Sequence, residues 1–312
     1  MNELFADRLL SAISTKGSPI CVGIDPILEN FPDAIRPTDL NDATACVDAI
    51  FSFTTRVLKI VAPYVPVVKF QSAYFEKYLW EGVEAYYSLI AEAKELGLLV
   101  IGDVKRGDIG STAGAYSMAH LAEPVRMELD EMEGSEVVTP DAITVNPMMG
   151  LDTLQPFIDV INDSDKGLFV LVRTSNPGSA QFQDVKLEDG RTWSEMLADA
   201  LNVVATQKGL IGTSGYSSLG AVVGATQTHT MQSLRKRLPH SVFLLPGYGT
   251  QGATADMTRA AFVDGRGAIV SASRSILYAH ADKKYASISE NWEKCVERAV
   301  LDMKLDLHAF VM

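Results

Sequence analysis

Four charged residues stand where they could act on a reacting carbon: Lys69 in VPVVKF, and Asp103, Lys105 and Asp108 in DVKRGD. Both segments begin as apolar, β-rich runs and finish in charge. Ions at the end of a buried strand forfeit hydration, so they are tolerable only where they satisfy one another. Two lysines alternating with two carboxylates do so, because a nearby opposite charge favours the ionised form of each partner. The product is a lysine held protonated beside anions, a group able to act as a general acid. An ion-pair network that merely closes a barrel mouth would use the same Asp-x-Lys spacing. The contribution of Lys69 from a different strand shifts the balance toward chemistry.

Other segments offer weaker signals. GYGTQG (247–252) spells GxGxxG, but it follows a late strand instead of opening a first βαβ unit, which argues against a dinucleotide fingerprint. Unobstructed backbone N–H groups in such a loop, with Arg274 from the next strand end as a bidentate donor, suit a phosphate. RTSNPGS (173–179) carries Ser175 and an amide that could read a polar ring edge, although serine and asparagine are also ordinary turn formers. Asp25 in GIDP could cap a turn or touch a sugar hydroxyl. The five histidines are scattered away from strand ends and suggest neither a metal site nor histidine catalysis.

The elements that must position these groups are legible as eight short β-rich runs: 19–25, 65–70, 98–105, 142–147, 168–175, 219–226, 242–249 and 267–274. Helical periodicity fills the intervals, as with Val47, Ile50, Phe51, Val57, Leu58 and Val61, or Tyr86, Leu89, Ile90 and Ala93. Eight buried strands alternating with helices predict an α/β fold, a single (β/α)8 TIM barrel with helical insertions at 106–141 and 176–218. Nothing divides the chain, so one domain over residues 1–312 is expected. In such a barrel a site assembles at the C-terminal ends of the strands. Alternation then turns Asp103 and Lys105 into the mouth and Val104 toward the helices, while Asp108 lies beyond the strand.

Composition narrows the partners. A 312-residue chain that is 47% hydrophobic can bury a large core, and a formal net charge of -12 argues against a nucleic-acid polymer or an anionic membrane. An anionic substrate must therefore be held by a local site. Cys21, Cys46 and Cys295 make neither a disulfide framework nor a zinc pattern, which suits a reducing cytoplasm. The opening MNELFADRLLSAIS has charges within its apolar stretch, unlike a signal-peptide core, and no run reaches the roughly 20 apolar residues of a membrane span.

DVKRGDIGST matches the DxKxxDxxxT signature of the orotidine 5'-phosphate decarboxylases, and VKFQSAYFE, TSNPG and PGYGTQG resemble the bacterial type 2 subgroup of that family. The resemblance runs from GIDP to SASRSI with the motifs in order. It implies cofactor-free decarboxylation of orotidine 5'-phosphate to uridine 5'-phosphate, the last step of de novo pyrimidine synthesis, by a cytoplasmic homodimer with shared active sites. It further implies that Lys69, Asp103, Lys105 and Asp108 form the charged tetrad, with Asp108 lent to the partner, and that Lys105 protonates C6. On the same basis Asp25 resembles the ribose contact and Thr112 a residue reaching over with Asp108. Ser175 resembles the pyrimidine contact, and Gly249, Gln251 and Arg274 the phosphate site. Three rival readings use the same barrel: a magnesium-dependent sugar-phosphate decarboxylase, a non-catalytic phosphate-ligand sensor, and an aldolase with a Schiff-base lysine.

Overall fold

The β-branched and aliphatic runs form eight parallel strands that close on themselves in sequence order. They are β1 (Ile20–Ile24), β2 (Val67–Gln71), β3 (Leu99–Arg106), β4 (Ala142–Val145), β5 (Gly167–Arg173), β6 (Ser217–Val223), β7 (Ser241–Pro246) and β8 (Ala268–Ala272). The computed structural model describes residues 3–122, 138–226, 228–289 and 291–310. Strand and helix alternate as a (β/α)8 TIM barrel requires, because each parallel crossover must return the chain to the same edge. Of the expected insertions, 106–141 carries helix Gly110–His120 and 176–218 carries helix Trp193–Ala205; residues 123–137 of the first lie outside the described residues.

Two apolar compartments follow from the alternation of side chains along each strand. Inside the barrel, Cys21, Val67, Ile101, Ala142, Phe169, Val222, Leu244 and Ile269 form one cluster. The helix Phe5–Lys16 closes its lower end with Phe5, Ala6, Leu9 and Ile13. Phe5 meets Phe169 edge-on at 6.0 Å between ring centroids. Gly167 permits that contact, since a Cβ there would lie 2.2 Å from the Phe5 ring. Asp7 ties the same helix to the chain ahead of β6, accepting from the N–H of Thr213 and of Ser214, both at 2.9 Å. With the N-terminal ends of the strands plugged, the open mouth is left at their C-terminal ends.

Outside the barrel, the alternate strand residues pack on the helices. Helix Ala43–Val61 buries Cys46, Ile50, Phe53, Val57, Leu58 and Val61. Phe51, expected on that face, is exposed, and Phe53 takes its place by stacking on Phe31 at 4.2 Å and Trp292 at 5.2 Å. Helix Leu79–Glu95 buries Tyr86, Leu89, Ile90 and Ala93 as its periodicity predicts. No described helix is long and apolar enough to cross a membrane.

One irregularity shapes the mouth. Between Gly102 and Arg106 the β3–β4 register advances four residues on β3 against two on β4, and within that bulge Lys105 takes a left-handed φ of 47°. Bulges re-aim side chains and recur beside functional sites. Plain alternation is therefore not what turns Lys105 inward.

Candidate active site

Asp103 is the hub of the mouth. Its Oδ2 accepts from Lys69 Nζ at 2.7 Å and Gln71 Nε2 at 3.0 Å. Its Oδ1 accepts from Lys105 Nζ at 2.6 Å and Thr144 Oγ1 at 2.8 Å. Register explains the convergence: Gln71 is paired with Asp103 across β2 and β3, and Lys69 lies two residues lower on the same inward face. Thr144 also accepts from the backbone N–H of Lys105 at 3.0 Å, so one hydroxyl fixes both the bulge and the carboxylate.

The two lysines differ in freedom. Lys69 and Asp103 each expose 9% of the side chain, whereas Lys105 exposes 46%. Burial alone would raise the Asp103 pKa, but the charges and hydrogen bonds of Lys69 and Lys105 outweigh it and hold the carboxyl well below the usual range. Burial would lower Lys69, yet Asp103 and then Asp25 keep its ammonium above the ordinary lysine value. The Cys21 thiol, fully buried on β1, is pushed up to about 12 by that burial and stays neutral.

The network forms one wall of a cavity of about 430 Å³. Leu171, Val222, Leu244 and Pro246 make an apolar wall, and Thr250, Gln251 and Arg274 stand at the rim. Three cations (Lys69, Lys105, Arg274) against two carboxylates (Asp25, Asp103) leave the lining positive within an acidic chain, which suits an anion. Asp25 Oδ1 is buried with no hydrogen-bond partner among the described residues, a vacant acceptor for a ligand hydroxyl.

Of the residues expected from the sequence, the cavity gathers Asp25, Lys69, Asp103, Lys105, Ser175, Gln251 and Arg274. Asp108, Thr112 and Gly249 are not in its lining. Asp108 lies past the end of β3, its Oδ1 accepting from the N–H of Ile109 at 2.8 Å, and Thr112 is exposed on helix Gly110–His120. Gly249 gives its N–H to the Ala253 carbonyl at 3.0 Å. Gln71, Thr144 and Ser273 line the site as well, and Tyr248 joins them from the GYGTQG stretch. Gln71 was discoverable as the residue two places after Lys69. Thr144 was obscured by Asn146, the last polar residue of the β4 run, which caps Met148 N–H at 3.0 Å instead. Among the described residues, no group of three His, Cys, Asp or Glu side chains is placed to hold a metal ion.

A family model described as the orotidine 5'-phosphate decarboxylase / HUMPS family matches residues 18–287. The chain belongs to this family. It is 41% identical over 309 residues to an orotidine 5'-phosphate decarboxylase of Rhodopirellula baltica, covering 97% of this chain and 98% of that one. It is 39% identical to the enzyme of that name from Caldicellulosiruptor bescii, covering 98% of this chain and 99% of the relative. The solved OMP decarboxylase of Leishmania donovani superposes with a TM-score of 0.72 at 28% identity, covering 98% of each chain. The family resemblance carried by DVKRGDIGST, TSNPG and PGYGTQG therefore extends to the whole barrel.

Proposed function

We propose that residues 1–312 form one decarboxylase domain that converts orotidine 5'-phosphate to uridine 5'-phosphate and carbon dioxide without a cofactor, the last step of de novo UMP synthesis in the cytoplasm. The observation that carries this reading is the Asp103 carboxylate with Lys69 on one oxygen and the half-exposed Lys105 on the other. The names of the relatives support the same substrate.

The chemistry follows from charge. When the C6–carboxylate bond breaks, its electron pair stays on C6 in the plane of the ring, where the π-system cannot delocalise it. A fixed ammonium beside C6 stabilises that pair better than water, which must reorganise to do so. Lys105 then donates a proton to C6, forming the C–H bond and leaving a neutral amine that solvent reprotonates through its exposed side. Asp103 and Lys69 keep Lys105 ionised and aimed until that moment. The apolar wall suits the pyrimidine face, Ser175 its polar edge, Asp25 a ribose hydroxyl, and the Gln251–Arg274 rim the phosphate. Phosphate contacts far from C6 contribute to the chemical step if binding there organises the site.

In this reading the active unit is a homodimer in which each chain lends Asp108, with Thr112, to its partner's cavity. Exposed apolar side chains flank that region, with Ile109 61% and Met148 68% accessible, as expected of a surface that meets a second copy. The test is Lys105→Ala, assayed beside wild type in deuterium oxide. Wild type should deliver uridine 5'-phosphate carrying deuterium at C6, and the folded variant should lose nearly all turnover. Substantial turnover by the variant would overturn the assignment of Lys105.

A further inference from the structure

Behind the glycine-rich loop lies a second cavity, about 560 Å³, between that loop and the helix Trp292–Leu307. Tyr248 lines both this cavity and the catalytic one. Its hydroxyl donates a hydrogen bond to Asp306 Oδ2 on that helix, 58 residues away. We propose that Tyr248 and Asp306 form a latch that positions the phosphate-gripping loop, holding Gln251 and Thr250 toward the catalytic cavity. The proposal rests on reading residues 247–253 as the phosphate loop.

The loop needs such an anchor. Gly247, Gly249 and Gly252 have φ values of 113°, 71° and 87°, conformations glycine adopts freely and at a high entropic cost when ordered. Its internal bonds, from Gly252 N–H to Gly249 O at 2.8 Å and from Ala253 N–H to Gly247 O at 3.2 Å, tie the loop to itself. They set its shape without fixing it against the barrel. Tyr248 reaches out from between two of those glycines to a helix seated on the core through Val296, Val300, Met303 and Leu307.

The acids of that helix divide the work. Asp302, one turn earlier, is engaged by Lys284 at 2.6 Å and Arg298 at 2.9 Å, which leaves Asp306 to the phenol. Burial, then the hydrogen bond and charge of Asp306, raise the Tyr248 pKa, so the hydroxyl remains a donor. The latch also joins two regions that the family match separates, since that match ends at residue 287.

The test compares Tyr248→Phe, Asp306→Ala and the double variant on orotidine 5'-phosphate and on the nucleoside orotidine, which has no phosphate for the loop to hold. Each single change should lower kcat/KM for the nucleotide about fivefold, the size of one partly exposed hydrogen bond, and alter the nucleoside less than about twofold. Because both changes break the same bond, the double variant should also lose about fivefold and not about 25-fold. Asp306→Asn, which keeps an acceptor, should recover most of the loss, and it leaves the loop itself untouched if Tyr248→Phe folds poorly. Equal losses on both substrates, additive losses, or unchanged kinetics would each overturn the latch while leaving the decarboxylase reading in place. Failure of the wild-type chain to turn over the nucleotide would overturn that reading and the latch with it.

Discussion

Replacing Asp103 by asparagine removes the charge that reconciles two buried or half-buried ammonium groups, and the structure sets the size of the effect. Asp103 accepts four side-chain hydrogen bonds, and its partner Lys69 is as buried as Asp103 itself. Stranding one member of a buried pair costs about 3–5 kcal/mol, and asparagine, which keeps one acceptor oxygen, belongs at the lower end. An unfolding entropy of about 2.1 cal/mol/K per residue converts that range into a fall in Tm of roughly 5–8 °C for a chain of this length. The sign with pH is fixed as well. With Asp103 gone, only the weaker influence of Asp25 opposes burial, so Lys69 should have a folded pKa below its unfolded value of about 10.4; the unfolded chain then binds more protons between the two values and stability rises with pH. The deficit of Asp103→Asn relative to wild type should therefore narrow from pH 7 to pH 10. Lys69→Met added to Asp103→Asn should recover about 2 kcal/mol, because no buried charge is then left unpaired. Thermal and denaturant melts of wild type and the two variants at several pH values provide the assay. A cost under about 1 kcal/mol that does not change with pH would show that the pair behaves as a surface ion pair and refute the reasoning.

Two further outcomes follow. Arg274→Ala should reduce kcat/KM for orotidine 5'-phosphate by about 2 kcal/mol, roughly thirtyfold, and barely affect orotidine; equal losses would make Arg274 structural. Unfolding and remixing equal amounts of inactive Lys105→Ala and Asp108→Asn chains should restore roughly a quarter of wild-type activity, since about half the dimers are mixed and each has one intact site of two. Confirmed mixed dimers without activity would rule out a shared site.

Much of the barrel could be read from residue types alone. Each of the eight β-rich runs overlaps a strand, because a strand buried on both faces must be apolar throughout and must end where polar residues begin. The charged cluster was legible for the same reason, as Lys69 and Asp103 interrupt that apolarity. What escaped depends on geometry that neighbouring letters do not encode. The β3 bulge that aims Lys105, and the choice of Thr144 over Asn146, depend on the pairing of β3 with β4. Phe51 and Phe53 are both apolar on one helix, and only the contacts with Phe31 and Trp292 decide which is buried. The Tyr248–Asp306 contact joins a loop to a helix whose acids look like an ordinary solvated face. Asp108 and Thr112 are not in the lining of the cavity of their own chain, and what a second copy would bring to that cavity is not encoded in the neighbouring letters.

The most direct measurement is turnover by the purified wild-type chain with orotidine 5'-phosphate in excess EDTA, following the loss of substrate absorbance together with carbon dioxide and uridine 5'-phosphate. Equimolar release of the two products, undiminished by the chelator and abolished by Lys105→Ala, is the expected result. No turnover, or turnover that appears only on adding magnesium, would contradict it.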